Sequence, residues 1–105
     1  MDRRDAFVMK LKPGCFAEYK RRHQEIWPEL VRKHTEYGIR DYTIFFDDQT
    51  LTLFAFRRIA AGSEPERMRE DVLVQKWWSY NADLMECHPD HEPVCIPLQE
   101  IFHMD

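Results

Sequence analysis

Three side chains that are suited to chemistry recur at one spacing near the start of the chain. Tyr19, His23 and Trp27 lie four residues apart, so on an α-helix they stack along one face. The imidazole titrates near neutral pH and can transfer protons. It also needs a hydrogen-bonding partner or a solvated cavity beside it. Taken alone, a helical aromatic stripe favours a satisfied core histidine over a working acid or base.

A second candidate group is the pair Trp77-Trp78. Neighbouring residues on a helix point about 100° apart, so the two indoles cannot enter the same core position. Either one packs in the core and the other at a dimer interface, or the rings form a flat apolar platform for the C–H face of a sugar. Tyr42 is either an ordinary strand aromatic or a source of a hydroxyl group in the same pocket.

The remaining histidines and the cysteines carry a weak metal signal. The proline-rich stretch 86–97 holds two histidines and two cysteines, but a His-x-x-His spacing without a second ligand pair is a poor zinc motif. We therefore predict no metal, and no phosphate or nucleotide fingerprint indicates a cofactor. His34 and His103 are expected at the surface or at a strand edge.

Composition narrows the class of protein. Residues 1–105 are expected to form one small folded domain, because 44% of the residues are hydrophobic and 13% are aromatic. The net charge of -4, with no wide basic patch, argues against a nucleic-acid partner, and Lys20–Arg22 is expected on the solvated side of a helix. No run is long enough to span a bilayer and none resembles a signal peptide, so we predict no membrane partner. Three cysteines, an odd number, suit a reducing cytoplasm.

Proline and glycine positions predict the elements that would hold these side chains. The first helix is predicted from residue 16 to residue 27, with a kink or restart at Pro28 and an end at Gly38. A second helix is predicted from an N-cap at Ser63 to about residue 85, with a break near Asp71. Strands are predicted at residues 6–11, 39–46, 51–56 and 98–104.

The predicted order is β-α-β-β-α-β, the ferredoxin-like α+β plan. The strands are apolar on both faces; in the first, Phe7 and Met9 fill one face and Ala6 and Val8 the other. Strands of this kind are covered on both sides, and two helices cover only one. We therefore predict a homodimer in which sheet packs against sheet.

Five segments then occur in a recognisable order along nearly the whole chain. They are 6–9 (AFVM), 18–30 (EYKRRHQEIWPEL), 75–78 (QKWW), 89–90 (PD) and 98–102 (LQEIF). In these segments the chain resembles the L-rhamnose mutarotase family. The tyrosine, histidine and tryptophan-proline spacing combined with the tryptophan pair is far more specific than either motif alone.

This resemblance implies a fold and an activity. The fold is a dimeric α/β barrel of ferredoxin-like subunits. The activity is that of a carbohydrate isomerase, which interconverts the α and β anomers of L-rhamnose without a cofactor. The resemblance also implies that His23 is the catalytic acid/base and that Tyr19, Tyr42, Trp77 and Trp78 bind the sugar.

Mutarotation opens a hemiacetal ring and closes it again. One group protonates the ring oxygen while another removes the proton of the anomeric hydroxyl. We expect His23 to protonate the ring oxygen and to take the proton back on closure. The complementary base stays open between a water, Tyr19 and a carboxylate. Two other functions also stay open: a haem-binding protein or small oxygenase on the same dimeric barrel, and a non-catalytic sugar-binding module.

Overall fold

A computed structural model describes residues 1–105 as an antiparallel sheet with helices packed on one face. The strands are β1 (Arg3–Lys10), β2 (Ile39–Asp47), β3 (Thr52–Ile59) and β4 (Ile96–Pro97). The helices are α1 (Phe16–Gln24), α2 (Pro28–Glu36) and α3 (Val72–Asn81), with short 3₁₀ segments at Pro65–Glu70 and Ala82–Leu84. None of the helices is long and apolar enough to cross a membrane.

The four strands lie in the order β2-β3-β1-β4. With α1 and α2 counted as one interrupted helix, the chain follows the β-α-β-β-α-β plan. The predicted α+β class with a four-stranded antiparallel sheet is therefore confirmed. Phe7 pairs with Ala55 and Val8 with Phe54, and since side chains alternate along a strand, the two pairs lie on opposite faces. Both faces are apolar, as predicted.

The interruption of the first helix follows from Pro28. Pro28 stands in the first turn of α2, where a missing N–H breaks no helical hydrogen bond. The predicted restart is confirmed, but Trp27 lies in the N-cap position of α2 and not on the α1 stripe. Gly38 ends α2 with a φ of 83°. A Cβ at Gly38 would lie 2.0 Å from Ser63 Oγ, so only glycine fits this turn.

The second predicted helix is divided at Asp71. Its Oδ1 accepts a hydrogen bond from the Leu73 N–H at 2.9 Å, which makes Asp71 the N-cap of α3. The predicted break at this residue is confirmed. The predicted N-cap at Ser63 is wrong, because the preceding 3₁₀ segment begins at Pro65 with Glu64 in the cap position.

Two strand boundaries also differ from the prediction. Leu51 has a φ of 57° and belongs to the turn, so β3 begins at Thr52 and continues to Ile59. The strand predicted at residues 98–104 is wrong, since β4 is confined to Ile96–Pro97. β4 pairs only with β1. Beyond Leu98 the chain contacts β1 through the Arg4–Glu100 ion pair and not through backbone hydrogen bonds.

The hydrophobic core consists of two clusters on the helix-covered side of the sheet. One is built around Leu53 and Ala55 and includes Tyr19. The other is built around Leu30 and Ile59 and includes Trp77. Residues of both clusters line a cavity of about 1230 Å³ between the sheet and the helices. The fold therefore leaves space in the layer where the predicted site residues lie.

Candidate active site

His23 is held by its own helix with one ring nitrogen left free. Its Nδ1 lies 3.0 Å from the carbonyl oxygen of Tyr19, one turn earlier in α1. A carbonyl oxygen only accepts hydrogen bonds, so Nδ1 carries the hydrogen and the neutral ring keeps its lone pair on Nε2. The imidazole also packs on the Tyr19 ring, with centroids 4.2 Å apart. The tautomer is thus fixed by backbone geometry, and Nε2 is available for proton transfer.

Burial sets the protonation states of both residues. It lowers the pKa of His23, and this outweighs the opposing effect of the bond to the Tyr19 carbonyl. His23 is therefore neutral at pH 7. Burial raises the pKa of Tyr19, with smaller contributions from nearby Tyr42 and Cys95. Tyr19 therefore keeps its proton and presents a phenol hydroxyl.

The tryptophan pair reaches the same cavity from α3. The Trp77 indole meets the His23 ring edge to face, with centroids 5.2 Å apart and planes at 74°. Trp77 also packs on Trp27, with centroids 5.0 Å apart. Trp77 is buried and Trp78 half-buried, and both line the cavity. The two indoles thus form part of one cavity wall, and Trp27 packs against Trp77 in that wall.

Arg22 ties α1 to the end of α3. Its Nη1 donates to the Tyr80 carbonyl oxygen at 2.6 Å and to Asp83 Oδ1 at 3.0 Å. Its Nε donates to Glu18 Oε2 at 2.8 Å, and its guanidinium lies 4.4 Å from the Tyr80 ring centroid. Only 11% of the Arg22 side chain is exposed. The expectation that residues 20–22 all lie on the solvated side is therefore wrong for Arg22.

Tyr42 faces the cavity from the opposite wall, on β2. The ladder between β2 and β3 is irregular between Arg40 and Thr43, and Asp41 has a φ of 50°. Such a bulge redirects the side chains next to it. The Tyr42 ring packs edge to face on Phe7 at 6.4 Å. Burial raises the pKa of Tyr42 to about 12. Tyr42 lines the cavity, and 37% of its surface is exposed.

Several polar groups in this cavity have no partner within the protein. The one fully enclosed side-chain N or O atom without a hydrogen bond is Asn81 Oδ1. The Tyr19 hydroxyl, His23 Nε2 and the Trp77 N–H form no hydrogen bond with protein either, yet they keep accessible surface. Buried polar groups are normally paired. A cavity with free donors and acceptors beside indole rings suits a small ligand that carries many hydroxyl groups.

The structure brings the five predicted site residues together in one cavity and adds His34 to them. His34 was expected at the surface or at a strand edge, and that is wrong. It lines the cavity, with its ring centroid 5.6 Å from that of Tyr42. The sequence held one signal, because His34 follows the fully buried Leu30 by four residues and therefore shares its helix face. His103 lies at the exposed C-terminal end, beside Asp105.

The cysteine- and histidine-containing loop lies apart from this group. His88 and His91 are exposed, and His91 Nδ1 lies 3.0 Å from Ser79 Oγ. No group of three or more histidine, cysteine, aspartate or glutamate side chains is arranged to hold a metal ion. Among the cysteines and histidines of the loop, Cys95 is the one that lines the cavity, and burial raises the pKa of its thiol to about 11.

An α+β fold with a histidine, two indoles and free hydrogen-bonding groups in one cavity indicates a protein that acts on a small hydroxylated molecule. A sequence model of L-rhamnose mutarotase matches residues 4–104. The L-rhamnose mutarotase of Bacteroides thetaiotaomicron is 48% identical over 103 residues, which cover 98% of this chain and 99% of that protein. That of Jannaschia sp. is 46% identical over 99 residues, covering 94% and 95%.

A solved structure agrees with these sequence matches. The crystal structure of the L-rhamnose mutarotase from Formosa agariphila superposes with a TM-score of 0.91 at 42% identity, covering 98% of this chain and 99% of that one. The chain belongs to the L-rhamnose mutarotase family, and it is an isomerase acting on a carbohydrate. Membership of this family favours the enzymatic interpretation over the haem-binding and non-catalytic alternatives.

Proposed function

We propose that the protein interconverts the α and β anomers of L-rhamnose, with His23 as the group that moves the proton. The observation that carries this proposal is the His23 ring itself. Its Nδ1–H is committed to the Tyr19 carbonyl at 3.0 Å, and its free Nε2 belongs to a ring that lines the cavity beside Trp77.

The reaction needs one proton to move from the anomeric hydroxyl to the ring oxygen. Neutral Nε2 removes the hydroxyl proton and leaves an oxyanion on the anomeric carbon. The imidazolium then gives that proton to the ring oxygen as the oxyanion collapses to the carbonyl and the bond between the ring oxygen and the anomeric carbon breaks. The aldehyde then rotates, and the same transfers run in reverse on its other face. One positioned group that exchanges protons in this way typically contributes about 10²–10⁴-fold.

The other four residues hold the sugar. Trp77 and Trp78 offer flat apolar surface to the C–H face of the ring and to the C6 methyl group, which distinguishes a 6-deoxy sugar from a hexose. Tyr19 and Tyr42 keep their phenol protons because burial raises both pKa values. Each can therefore donate to one sugar hydroxyl and accept from another.

Saturation-transfer NMR of anomeric exchange tests the activity and the substrate together. L-rhamnose, L-fucose and D-ribose are compared at equal concentration, and we expect L-rhamnose to exchange fastest. His23→Ala should slow exchange by about 10²–10⁴-fold. The matched control is His88→Ala, because His88 lies in the exposed loop and should exchange sugar like the parent. A His23→Ala protein as fast as the parent would refute the role of His23.

We also propose that the protein acts as a homodimer, paired through the uncovered face of the sheet. Phe54 lies between Val8 and Phe45 in the strand register, and Phe56 pairs with Ala6 on the same face. Phe45 is 61% exposed and Phe56 43%. A continuous apolar face of this kind is normally covered by another chain. Phe45→Glu should convert a dimer to a monomer in sedimentation equilibrium, and a monomeric parent would refute the proposal.

We place the protein in the cytoplasm. The three cysteines are free thiols, and a reducing compartment keeps thiols in this state. Fractionation of cells that produce the protein tests this directly, and recovery outside the cytoplasm would contradict it.

A further inference from the structure

One part of the cavity wall, formed by β1, β3 and α2, contains a group of charged and polar residues that the proposed reaction leaves without a role. Asp5, His34 and Arg57 line the same cavity as His23 and the tryptophan pair. We call these three residues the Arg57 cluster. They surround Tyr42, on the wall opposite α3. On this face of the sheet the Asp5–Arg57 pair is followed by the apolar pair Phe7–Ala55 and preceded by Arg3, which pairs with Ile59. The cluster therefore lies where the apolar core gives way to charged residues.

His34 repeats the arrangement of His23. Its Nδ1 lies 2.8 Å from the Leu30 carbonyl oxygen, one turn earlier in α2. Nδ1 therefore carries the hydrogen, and Nε2 keeps the lone pair of the neutral ring. Burial lowers the pKa of His34, as does the nearby Arg57 charge, so the ring is neutral at pH 7. Nε2 has no partner in the protein and is not fully enclosed, which leaves it as a free acceptor.

Arg57 supplies the complementary donor. Its Nε and Nη2 bind Asp5 Oδ1 and Oδ2 at 2.9 and 2.6 Å, and Nη1 forms no hydrogen bond within the protein. The guanidinium lies 5.0 Å from the Phe7 ring centroid and 5.9 Å from that of Tyr42. Only 17% of the Arg57 side chain is exposed.

An ion pair in this place needs a reason other than stability. Desolvation of two charges opposes their attraction, and well-packed apolar residues often replace such a pair without loss. The pair does fix the plane of the guanidinium, so that Nη1 is pre-oriented. Charge, orientation and a free N–H group are the properties of a site that binds oxygen atoms of a ligand.

We propose that the Arg57 cluster binds the secondary hydroxyl groups of the sugar that lie away from the anomeric carbon. Arg57 Nη1 donates to a hydroxyl oxygen, and His34 Nε2 accepts a hydroxyl hydrogen. A hydroxyl group both donates and accepts, so this pair matches one hydroxyl or two vicinal ones. The proposal rests on the proposed function, since it takes the anomeric carbon to lie at His23. Asp5 is a positioning residue that acts through Arg57.

The test compares deoxy sugars across matched variants. Equilibrium binding of L-rhamnose and of its 2-, 3- and 4-deoxy analogues is measured by calorimetry for the parent, His34→Leu and Arg57→Met. We expect each variant to bind L-rhamnose roughly 10- to 100-fold more weakly. We also expect one deoxy analogue to bind the parent and the variant equally, because it lacks the hydroxyl that the mutated residue holds. In exchange kinetics KM should rise while kcat stays near the parent value.

Control variants separate this effect from a general loss of structure. His88→Leu and Arg67→Met change an exposed histidine and an exposed arginine, and both should bind L-rhamnose like the parent. His34→Gln should recover part of the affinity that His34→Leu loses, because the glutamine side chain can still form a hydrogen bond. If Arg57→Met does not fold, the two His34 variants still decide the question.

Two results would overturn the inference. One is that His34→Leu and Arg57→Met bind L-rhamnose as tightly as the parent. The other is that the two substitutions weaken the binding of L-rhamnose and of every deoxy analogue by the same factor. That result would mean that neither residue recognises a particular hydroxyl. A parent that binds L-rhamnose without exchanging its anomers would refute the proposed function alone, and the binding comparison would still test the cluster.

Discussion

Arg22 offers a direct way to test how the two halves of the site are held together. It precedes His23 in α1, while its contacts reach the end of α3, which carries Trp77. Arg22→Met keeps an unbranched apolar stem and removes the guanidinium. It therefore removes the bonds to the Tyr80 carbonyl at 2.6 Å and to Asp83 at 3.0 Å, and within α1 the bond to Glu18 at 2.8 Å. Glu18 keeps its bonds to Arg21.

The expected loss of stability follows from the free energy that each lost contact contributes. A hydrogen bond from a charged donor contributes about 1.5–3 kcal/mol when it is shielded from water, and only 11% of the Arg22 side chain is exposed. The bond to Asp83 adds little, because 64% of that side chain is exposed. We expect the free energy of unfolding to fall by about 2 kcal/mol. For a chain of this size, that lowers the melting temperature by roughly 8–16 °C.

The catalytic effect should exceed what the loss of stability explains. A misplacement of about 1 Å between reacting groups can slow a reaction about 10²-fold. We expect Arg22→Met to slow anomeric exchange roughly 10- to 100-fold at a temperature where the variant is fully folded. Thermal denaturation at fixed protein concentration and saturation-transfer NMR provide the two readouts.

Arg21→Met is the matched control for this experiment. Arg21 is the adjacent residue of the same type, but its ion pairs are with Glu18 and Glu25 in its own helical segment, and half of its side chain is exposed. Its contact with α3 is limited to the Tyr80 side chain. It should therefore lose less stability than Arg22→Met and exchange sugar at the parent rate. Equal losses in the two variants would refute the reasoning. So would an Arg22→Met protein that melts earlier but exchanges L-rhamnose as fast as the parent.

Three further predictions concern protonation and hydroxyl groups in the cavity. Burial lowers the pKa of His23 below 6.5. The exchange rate should therefore stay level from about pH 8 to pH 6.5 and decline below the lowered pKa. A rate that rises on acidification would contradict the role of neutral His23 as proton acceptor. The pKa of His34 is lowered in the same direction, so the unfolded chain binds protons more readily and the free energy of unfolding should fall as the pH drops below about 6.5. Urea denaturation measures this fall, which should be smaller in the double variant His23→Gln/His34→Gln. Tyr19→Phe should weaken L-rhamnose binding by roughly tenfold in calorimetry. The unliganded variant should be as stable as the parent, since the Tyr19 hydroxyl has no partner in the protein. A marked loss of stability would show that the hydroxyl stabilises the fold.

The sequence was most informative where a residue type leaves the backbone few options. Pro28 and Gly38 marked the restart and the end of the second helical section, because one lacks an N–H and the other sits at a positive φ. Alternation of apolar residues identified both faces of the first three strands, since a strand has a strict period of two. Tyr19 and His23 could be grouped because a four-residue spacing places them side by side on any α-helix. Tyr42, Trp77 and Trp78 were assigned to the same site through the family resemblance.

The errors share a different cause: they depend on what surrounds a segment. Residues 98–104 have the composition of a strand, but a strand also needs backbone hydrogen bonds to a neighbour. Those bonds end at Leu98, although Glu100 still pairs with Arg4 of β1. Arg22 belongs to a basic run, yet its contacts are with α3 and are distant in sequence. His34 lies on α2, and its ring meets Tyr42, which lies next to the irregular pairing of β2. None of these three outcomes can be derived from local propensity.

The cavity itself explains why function and stability make different demands on this small chain. Its core is split into two clusters, and the polar groups between them include two histidines with the same free ring nitrogen. A fold selected only for stability would close this gap with apolar side chains, since unpaired polar groups and voids both destabilise. A polyhydroxylated ligand fills the volume and supplies the missing partners at once. The features that weaken the unliganded chain are therefore those that give it an affinity for a sugar.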